Sequence, residues 1–284
     1  MARQKKKGVL HYTGRGIAYG AKGIAFLGKQ SYLGVKYFVR KGSEARVQRK
    51  EKQKEKQRPF VEAGYDPFQE IHSLEGYLLR FEEKILDSSK STIGIVIGAR
   101  GTGKSALGMR LVENIRAKSQ RNICAIGFRK EDLPSWIQTV DIIDNIPNGS
   151  FVLIDEAGIE FGSRDSMSSM NKLLSSLLFI ARHKDLSILF LSQNSSNIEV
   201  NILRQADYLF LKPSSLLQLD FERKKVKDIY TEVQNLFDQY KSSQGLTYIY
   251  SQDFRGFVSN SLPSFWNVKV SKAYSGTMSH SKGK

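Results

Sequence analysis

The chain has 284 residues but only one cysteine, Cys124, and four scattered histidines. A single thiol excludes a disulfide framework and a cysteine-based metal site, and it fits a reducing interior. Cys124 lies within the strand-like run Ile123-Cys-Ala-Ile-Gly-Phe128 and reads as a small buried apolar residue rather than a reactive thiol. The histidines show no zinc-type spacing. No stretch of about 18 uncharged apolar residues occurs, so no ordinary membrane span is expected. No cleavable leader is recognisable either. With 40% hydrophobic residues, the chain can bury a core of one large α/β domain with appendages.

Acidic residues are scarce at the N-terminal end. Residues 1–58 carry 17 Lys and Arg against three acids, Glu44, Glu51 and Glu55, a net of +14 out of +16 for the whole chain. The other 226 residues are nearly balanced, with 27 basic against 25 acidic side chains. A basic segment of this density binds polyanions by releasing counterions, and such binding weakens with salt.

Residues 12–39 divide into sevens: Tyr12-TGRGIA, Tyr19-GAKGIA, Phe26-LGKQSY and Leu33-GVKYFV. Arg15, Lys22, Lys29 and Lys36 recur at the same heptad position, as do Tyr12, Tyr19, Phe26 and Leu33. On a helix, a heptad drifts by only about 20° per repeat, so the cations would form one narrow stripe. Eight glycines from Gly8 to Gly42 make an isolated helix weak in water. Three readings stay open: an interfacial membrane helix, an arm that orders on DNA or on a coat protein, and a helix packed on a neighbouring subunit. Residues 41–58 follow as a charged, apolar-poor linker. The expected organisation is a basic extension and linker over 1–58, a folded domain over 59–270, and a disordered polar tail over 271–284.

The strongest motif is Gly98-Ala99-Arg100-Gly101-Thr102-Gly103-Lys104-Ser105, which matches G-x-x-x-x-G-K-[ST]. It follows the apolar run 92–97 and precedes a helical pattern from Ala106 to Ile115, the strand–loop–helix context of a phosphate-binding loop. Gly98, Gly101 and Gly103 let the loop curl so that successive N–H groups face phosphate oxygens. The helix N-terminus adds positive potential. Lys104 would reach the β- and γ-phosphates of ATP, and the Ser105 hydroxyl would ligate Mg²⁺. About fifty residues on, the run Phe151-Val-Leu-Ile ends in Asp155 and Glu156. Asp155 is expected to face the metal and Glu156 to polarise the attacking water. A kinase passing phosphate to a metabolite would not need Glu156 in that role, so the pair points to hydrolysis.

The rest of the layout is α/β. Phe68 to Leu86 reads as one amphipathic helix. Residues 92–97, 123–128, 151–154, 187–192 and 207–211 read as strands separated by helices or loops, which predicts a mostly parallel, helix-flanked sheet with the ligand at the strand C-terminal edge. Asp220 to Tyr240 reads as a long charged helix. Thr247–Ser251 and Gly256–Asn260 read as hairpin strands.

The segment 181–211 carries Ala181-Arg182-His183-Lys184, a strand ending in Ser192-Gln193, then Ile202-Leu203-Arg204 and Ala206-Asp207. Together with the two nucleotide motifs, this resembles the FtsK–HerA branch of P-loop motors, with a RecA-like core. It looks most like virus genome-packaging ATPases and the zonula-occludens-toxin-like assembly ATPases of filamentous phages. The resemblance covers about residues 90–215. It implies that Gln193 senses the γ-phosphate and that Arg182, with Arg204 as runner-up, reaches a neighbouring subunit's nucleotide. It also implies a homo-oligomeric ring, in this family usually a hexamer, acting on double-stranded DNA. HerA-like helicases carry a β-barrel ahead of the motor that residues 1–60 cannot build. The toxin-like proteins often carry a membrane span that is not visible here.

The leading expectation is an ATP-driven DNA translocase that packages a viral genome on the cytoplasmic side of a host cell. Residues 8–58 would be available to an anionic membrane or a capsid protein. The alternatives are a membrane-associated virion-extrusion or protein-secretion ATPase, and a nucleotide-switched structural anchor.

Overall fold

The computed structural model describes residues 58, 61–159, 166–267 and 270. The heptad segment, most of the charged linker and the tail 271–284 lie outside the described residues.

Nine strands form one sheet: β1 (Gln69–Gly76), β2 (Ile93–Ile97), β3 (Ile123–Ile126), β4 (Ile137–Thr139), β5 (Phe151–Asp155), β6 (Ser187–Ser192), β7 (Tyr208–Leu211), β8 (Thr247–Ser251) and β9 (Phe254–Ser259). Their order is β1-β9-β8-β7-β2-β6-β5-β3-β4. The six strands from β7 to β4 run parallel. β8, β9 and β1 add an antiparallel ribbon to the β7 side. All five apolar runs expected to be strands are strands, and both hairpin strands are present.

The helices are α1 (Leu78–Leu86), α2 (Lys104–Ser119), α3 (Ser166–Lys184), α4 (Val200–Arg204), α5 (Leu216–Phe221) and α6 (Lys224–Gln239). The central strands are apolar on both faces, as a parallel sheet covered twice requires. On one face Ile95, Val152, Ile154, Ile188 and Phe190 pack with α3 and α6. On the other, Val96, Phe151, Leu153, Leu189 and Leu191 pack with α1 and α2. Cys124 is a buried member of the first core, and burial pushes its thiol pKa up, so it serves as an apolar filler.

Two expectations need correction. Residues 68–86 are not one helix: β1 occupies Gln69–Gly76 and only Leu78–Leu86 is helical. Phe68, Ile71, Leu74, Leu78, Phe81 and Ile85 happen to fall at helical spacing. The chain nevertheless turns at Gly76, whose φ of +77° is in the left-handed region, and a Cβ there would lie 2.1 Å from the Asp253 carbonyl. Tyr77 N–H donates to that same carbonyl at 3.1 Å, locking the turn against the β8–β9 hairpin. The helix expected over 220–240 is also interrupted. Buried Glu222 accepts from Ser195 N–H at 2.8 Å, and Arg223 Nη2 donates to Ile198 O at 2.6 Å, so α5 ends and α6 starts afresh. α6 then buries Val226, Ile229, Tyr230, Val233 and Phe237, an i, i+3, i+4 stripe.

The helix behind the phosphate loop is almost enclosed. Glu113 of α2 is fully buried, pairs with Arg110 at 2.9 Å, and accepts from Ser264 N–H at 3.0 Å and Gly64 N–H at 3.2 Å. Ser264 Oγ also donates to Glu113, and Arg110 donates to Leu262 O. Asn114 and Asp66 exchange two further bonds of 2.7 and 2.9 Å. Chain from both ends of the body thus crosses α2. Removing one partner of such a pair strands the other charge. Glu113→Ala is therefore expected to cost about 3 kcal/mol, read as a fall in the urea midpoint.

At the end of β7, Lys212 is 1% exposed, and its Nζ donates only to carbonyls, Gly245 O at 2.7 Å and Leu246 O at 3.2 Å. Burial pushes its ammonium down to about 7. An unfolded lysine keeps its proton to about 10.4, so between those values the unfolded chain binds the extra proton. Raising pH through that window therefore favours the fold. Between pH 7 and pH 9 the wild type should gain about 2 kcal/mol relative to Lys212→Met, measured by urea unfolding at each pH. Parallel pH curves for the two proteins would refute this.

Candidate nucleotide site

Strand register brings the site together. Ile97 of β2 pairs with Ser192 of β6 and with Leu211 of β7, and Leu191 of β6 pairs with Asp155 of β5. The residues that follow, Gly98, Gln193, Lys212 and Glu156, therefore leave the sheet at nearly one level. This is the C-terminal edge, at the point where connections depart to both sides of β2, where open α/β sheets place their ligands.

The phosphate loop is built on glycine. Gly101 and Gly103 take φ of +81° and +86°, and a Cβ on either would meet nothing within 4 Å, so their backbone faces open space. Gly98 is under the opposite constraint: a Cβ there would lie 2.5 Å from Lys212 Cβ, so only glycine lets the loop seat on β7. Ala99 N–H donates to Pro213 O at 3.1 Å, and Thr102 Oγ1 donates to Ala99 O at 2.8 Å, closing the curl. Lys212 N–H donates to Ile97 O at 2.8 Å, and Tyr230 Oη donates to Lys212 O at 2.8 Å. The base of the loop is thus braced from β7 and α6. Arg100 at the loop crest is exposed.

Lys104 and Ser105 open α2. Lys104 Nζ donates to Gly98 O at 2.8 Å and Ala99 O at 3.0 Å, folding its ammonium over the loop. Burial pulls its pKa down, and the Asp155 and Glu156 carboxylates oppose that shift. Ser105 Oγ donates to Asp155 Oδ2 at 2.7 Å, and Ala157 N–H donates to Asp155 Oδ1 at 3.1 Å. Burial raises the pKa of Asp155, and these two bonds work against it. A serine hydroxyl and a carboxylate side by side are hard oxygen donors. They suit Mg²⁺, which takes one or two protein oxygens and completes its shell with phosphate oxygens and water. Among the described residues no cluster of three or more His, Cys, Asp or Glu could hold a metal by itself. The donor set thus fits a nucleotide-bound metal rather than a protein cage.

Glu156 lies one residue beyond Asp155, where the first turn after β5 begins. Its Oε2 accepts from Ser192 Oγ at 2.6 Å and its Oε1 from Asn197 Nδ2 at 3.1 Å. Gln193 is exposed at the end of β6, and its carbonyl accepts from Gln218 Nε2. The structure therefore brings Gly98–Ser105, Asp155, Glu156 and Gln193 to one edge.

Arg182 is elsewhere. It lies near the end of α3, where Lys184 O accepts from Gly149 N–H at 2.7 Å just ahead of β5. That is the N-terminal edge of the sheet, a strand length away, on the order of 15 Å for five residues. Arg182 lines a groove of about 500 Å³ with Phe179, His183, Glu199, Asn201 and Gln205. Arg204, at the end of α4, precedes β7 at the same edge. Neither arginine can serve its own chain's phosphate loop. Sequence reasoning missed Ser192, Asn197 and Lys212. Only the position of Ser192 at a strand end beside Gln193 could have pointed to one of them.

No protein-family model matches the chain, and no curated protein matches it. Solved structures similar to it include B204, the DNA-packaging ATPase of Sulfolobus Turreted Icosahedral Virus, at 12% identity and a TM-score of 0.41, covering 61% of this chain and 98% of that one. The genome-packaging NTPase B204 of Sulfolobus turreted icosahedral virus 2, in complex with AMPPCP, is similar at 13% identity and a TM-score of 0.41, with the same coverage. The cytoplasmic domain of the type VII secretion ATPase EccC of Thermomonospora curvata is similar at 15% identity and a TM-score of 0.40, over 61% of this chain and 27% of that one. On its own topology and phosphate loop, this chain has the α/β fold of the P-loop NTPases, and the three similar structures named above are packaging and secretion ATPases.

Proposed function

We propose that the chain is an ATP-hydrolysing motor that moves DNA, in the manner of a viral genome-packaging translocase. The observation that carries the hydrolytic part is the meeting of Lys104, the Ser105–Asp155 pair and Glu156 at one sheet edge. The triphosphate would lie along the loop amides, and Lys104 would exchange the Gly98 and Ala99 carbonyls for β- and γ-phosphate oxygens. Ser105 and Asp155 would hold Mg²⁺, which when bound offsets charge on those phosphates. Glu156 would take a proton from water as the water oxygen attacks the γ-phosphorus. The bond from that phosphorus to the β–γ bridging oxygen would break, releasing ADP and phosphate. Gln193, at the edge of this site, would report the γ-phosphate.

The load is assigned on charge. The excess of 17 basic over three acidic residues in 1–58 suits a polyanion, and duplex DNA is the polymer that the sequence resemblance implies. Arg182, remote from its own phosphate loop, would serve a neighbour's site in a homo-oligomeric ring, a hexamer by the same resemblance. The exposed apolar side chains of α5, Leu216, Leu217 and Phe221, flank the site and support contact between copies. The motor would work on the cytoplasmic side of a host cell, with residues 8–58 against an anionic membrane or a capsid.

The purified full chain should turn over ATP, faster with duplex DNA, and the stimulation should fade between 50 and 200 mM salt. Lys104→Ala should lose ATP binding. Glu156→Gln should keep ATP affinity within a few-fold while kcat falls by about 10²–10⁴. Turnover that persists in Lys104→Ala would overturn the site. Turnover indifferent to DNA but raised by anionic vesicles would favour the extrusion or secretion reading.

A further inference from the structure

Both oxygens of Glu156 are already engaged. Ser192, one donor, is buried on β6 and therefore fixed. Asn197, the other, sits in the loop between β6 and α4, which is held from outside the sheet. Ser195 N–H donates to Glu222 Oε2 at 2.8 Å, and Ser195 Oγ bonds the same oxygen. Arg223 Nε donates to Ser195 O at 3.0 Å, and Arg223 Nη2 donates to Ile198 O at 2.6 Å. Asn194 closes the turn by accepting from Ser196 N–H at 2.7 Å. Gln218 of α5 bonds Gln193 O and, at 3.0 Å, Glu222 Oε1. The α5–α6 junction thus grips both sides of the loop that carries Asn197.

We propose that Asn197 is a positioning residue that holds the Glu156 carboxylate back from the attacking water, and that the Glu222–Arg223 clamp sets this hold. The inference rests on the hydrolytic reading of the site. A residue needed only to aim Glu156 would sit on the rigid sheet, as Ser192 does. Asn197 instead rides on a loop whose place depends on the segment joining two helices. While Asn197 donates to Oε1, the carboxylate is tethered at both oxygens, and water must compete with an amide that is already in place. A shift of the Glu222–Arg223 junction, which lies at the end of exposed α5, would withdraw the amide and leave Ser192 as the single guide. Turnover would then follow the position of α5, and the tether keeps the resting protein slow.

The test is steady-state ATP hydrolysis by the full chain, wild type against Asn197→Ala, Asn197→Leu, Glu222→Ala and the Asn197→Ala/Glu222→Ala double variant. Asn197→Ala should raise basal kcat about five- to tenfold with the KM for ATP changed less than twofold. Asn197→Leu, close in size but without the N–H donor and without a charge to repel Glu156, should do the same. Glu222→Ala should raise kcat in the same direction, and the double variant should be no faster than Asn197→Ala, because Glu222 acts through Asn197. A purely structural role would lower kcat or stability and could not speed the reaction. A wild type that hydrolyses ATP with an Asn197→Ala variant that is equal or slower overturns the tether and leaves the hydrolytic reading standing. An inert wild type with an active Asn197→Ala variant supports the tether. If every variant is inert although ATP binds, the tether and the hydrolytic reading fall together.

Discussion

The 2.7 Å bond from Ser105 Oγ to Asp155 Oδ2 joins the two halves of the site. It links the helix behind the phosphate loop to a strand that is not β2's neighbour, because β6 lies between them. The bond can form only if β2, β6 and β5 end at the same height, which their parallel register secures. A one-residue slip of β5 would turn Asp155 to the opposite face of the sheet. The apolar alternation that fills both cores therefore also aims the metal-side carboxylate. Packing and chemistry are set by one register.

The charged groups of the site bond neighbouring side chains and backbone. Lys104 is held by carbonyls of its own loop, Asp155 by a hydroxyl and an amide, and Glu156 by a serine and an asparagine. Each charged group is partly or fully withdrawn from water, and burial moves the pKa values of Lys104 and Asp155 toward their neutral forms. A triphosphate with its cation reverses that tendency, since it brings negative charge to Lys104 and positive charge to Asp155. Binding is then an exchange of partners within a formed cradle, with little backbone to order, which keeps the cost of preorganisation low. Glu156 differs because its two donors come from unlike places, one from a core strand and one from a loop clamped by remote helices.

The parts of this architecture that repeat a strong local pattern could be read directly from the sequence. The phosphate loop, the acids after Phe151–Ile154 and five of the six parallel strands, β2, β3, β5, β6 and β7, each have an apolar run or an eight-residue motif. The failures share a physical cause. β1 is exposed along most of its length and is held by backbone pairing to β9, so its side chains carry no strand signature, while their spacing imitates a helix. β4 has three residues, too few for any period. The break between α5 and α6 depends on Glu222 and Arg223 reaching Ser195 and Ile198, more than twenty residues away. Asn197 and Lys212 gain their roles only through tertiary neighbours, and nothing beside them in the sequence distinguishes them.

The placement of Arg182 constrains any assembly that uses it. The phosphate loop is at the C-terminal edge of the sheet and Arg182 at the N-terminal edge, so a copy that lends its arginine to a neighbour must present a different surface from the one receiving it. Made head to tail, such a contact is heterologous. It closes into a ring if the rotation between copies divides a full turn and otherwise extends as a filament, whereas a two-fold pair would match like surface with like. Within the donating copy, the groove around Arg182 includes Glu199 and Asn201, which follow directly on the loop that carries Asn197. Under the proposed reading, the surface that delivers an arginine to one site and the loop that tethers Glu156 in the next are then consecutive segments of a single chain. Hydrolysis in one copy could influence its neighbour through that short stretch without moving the sheet.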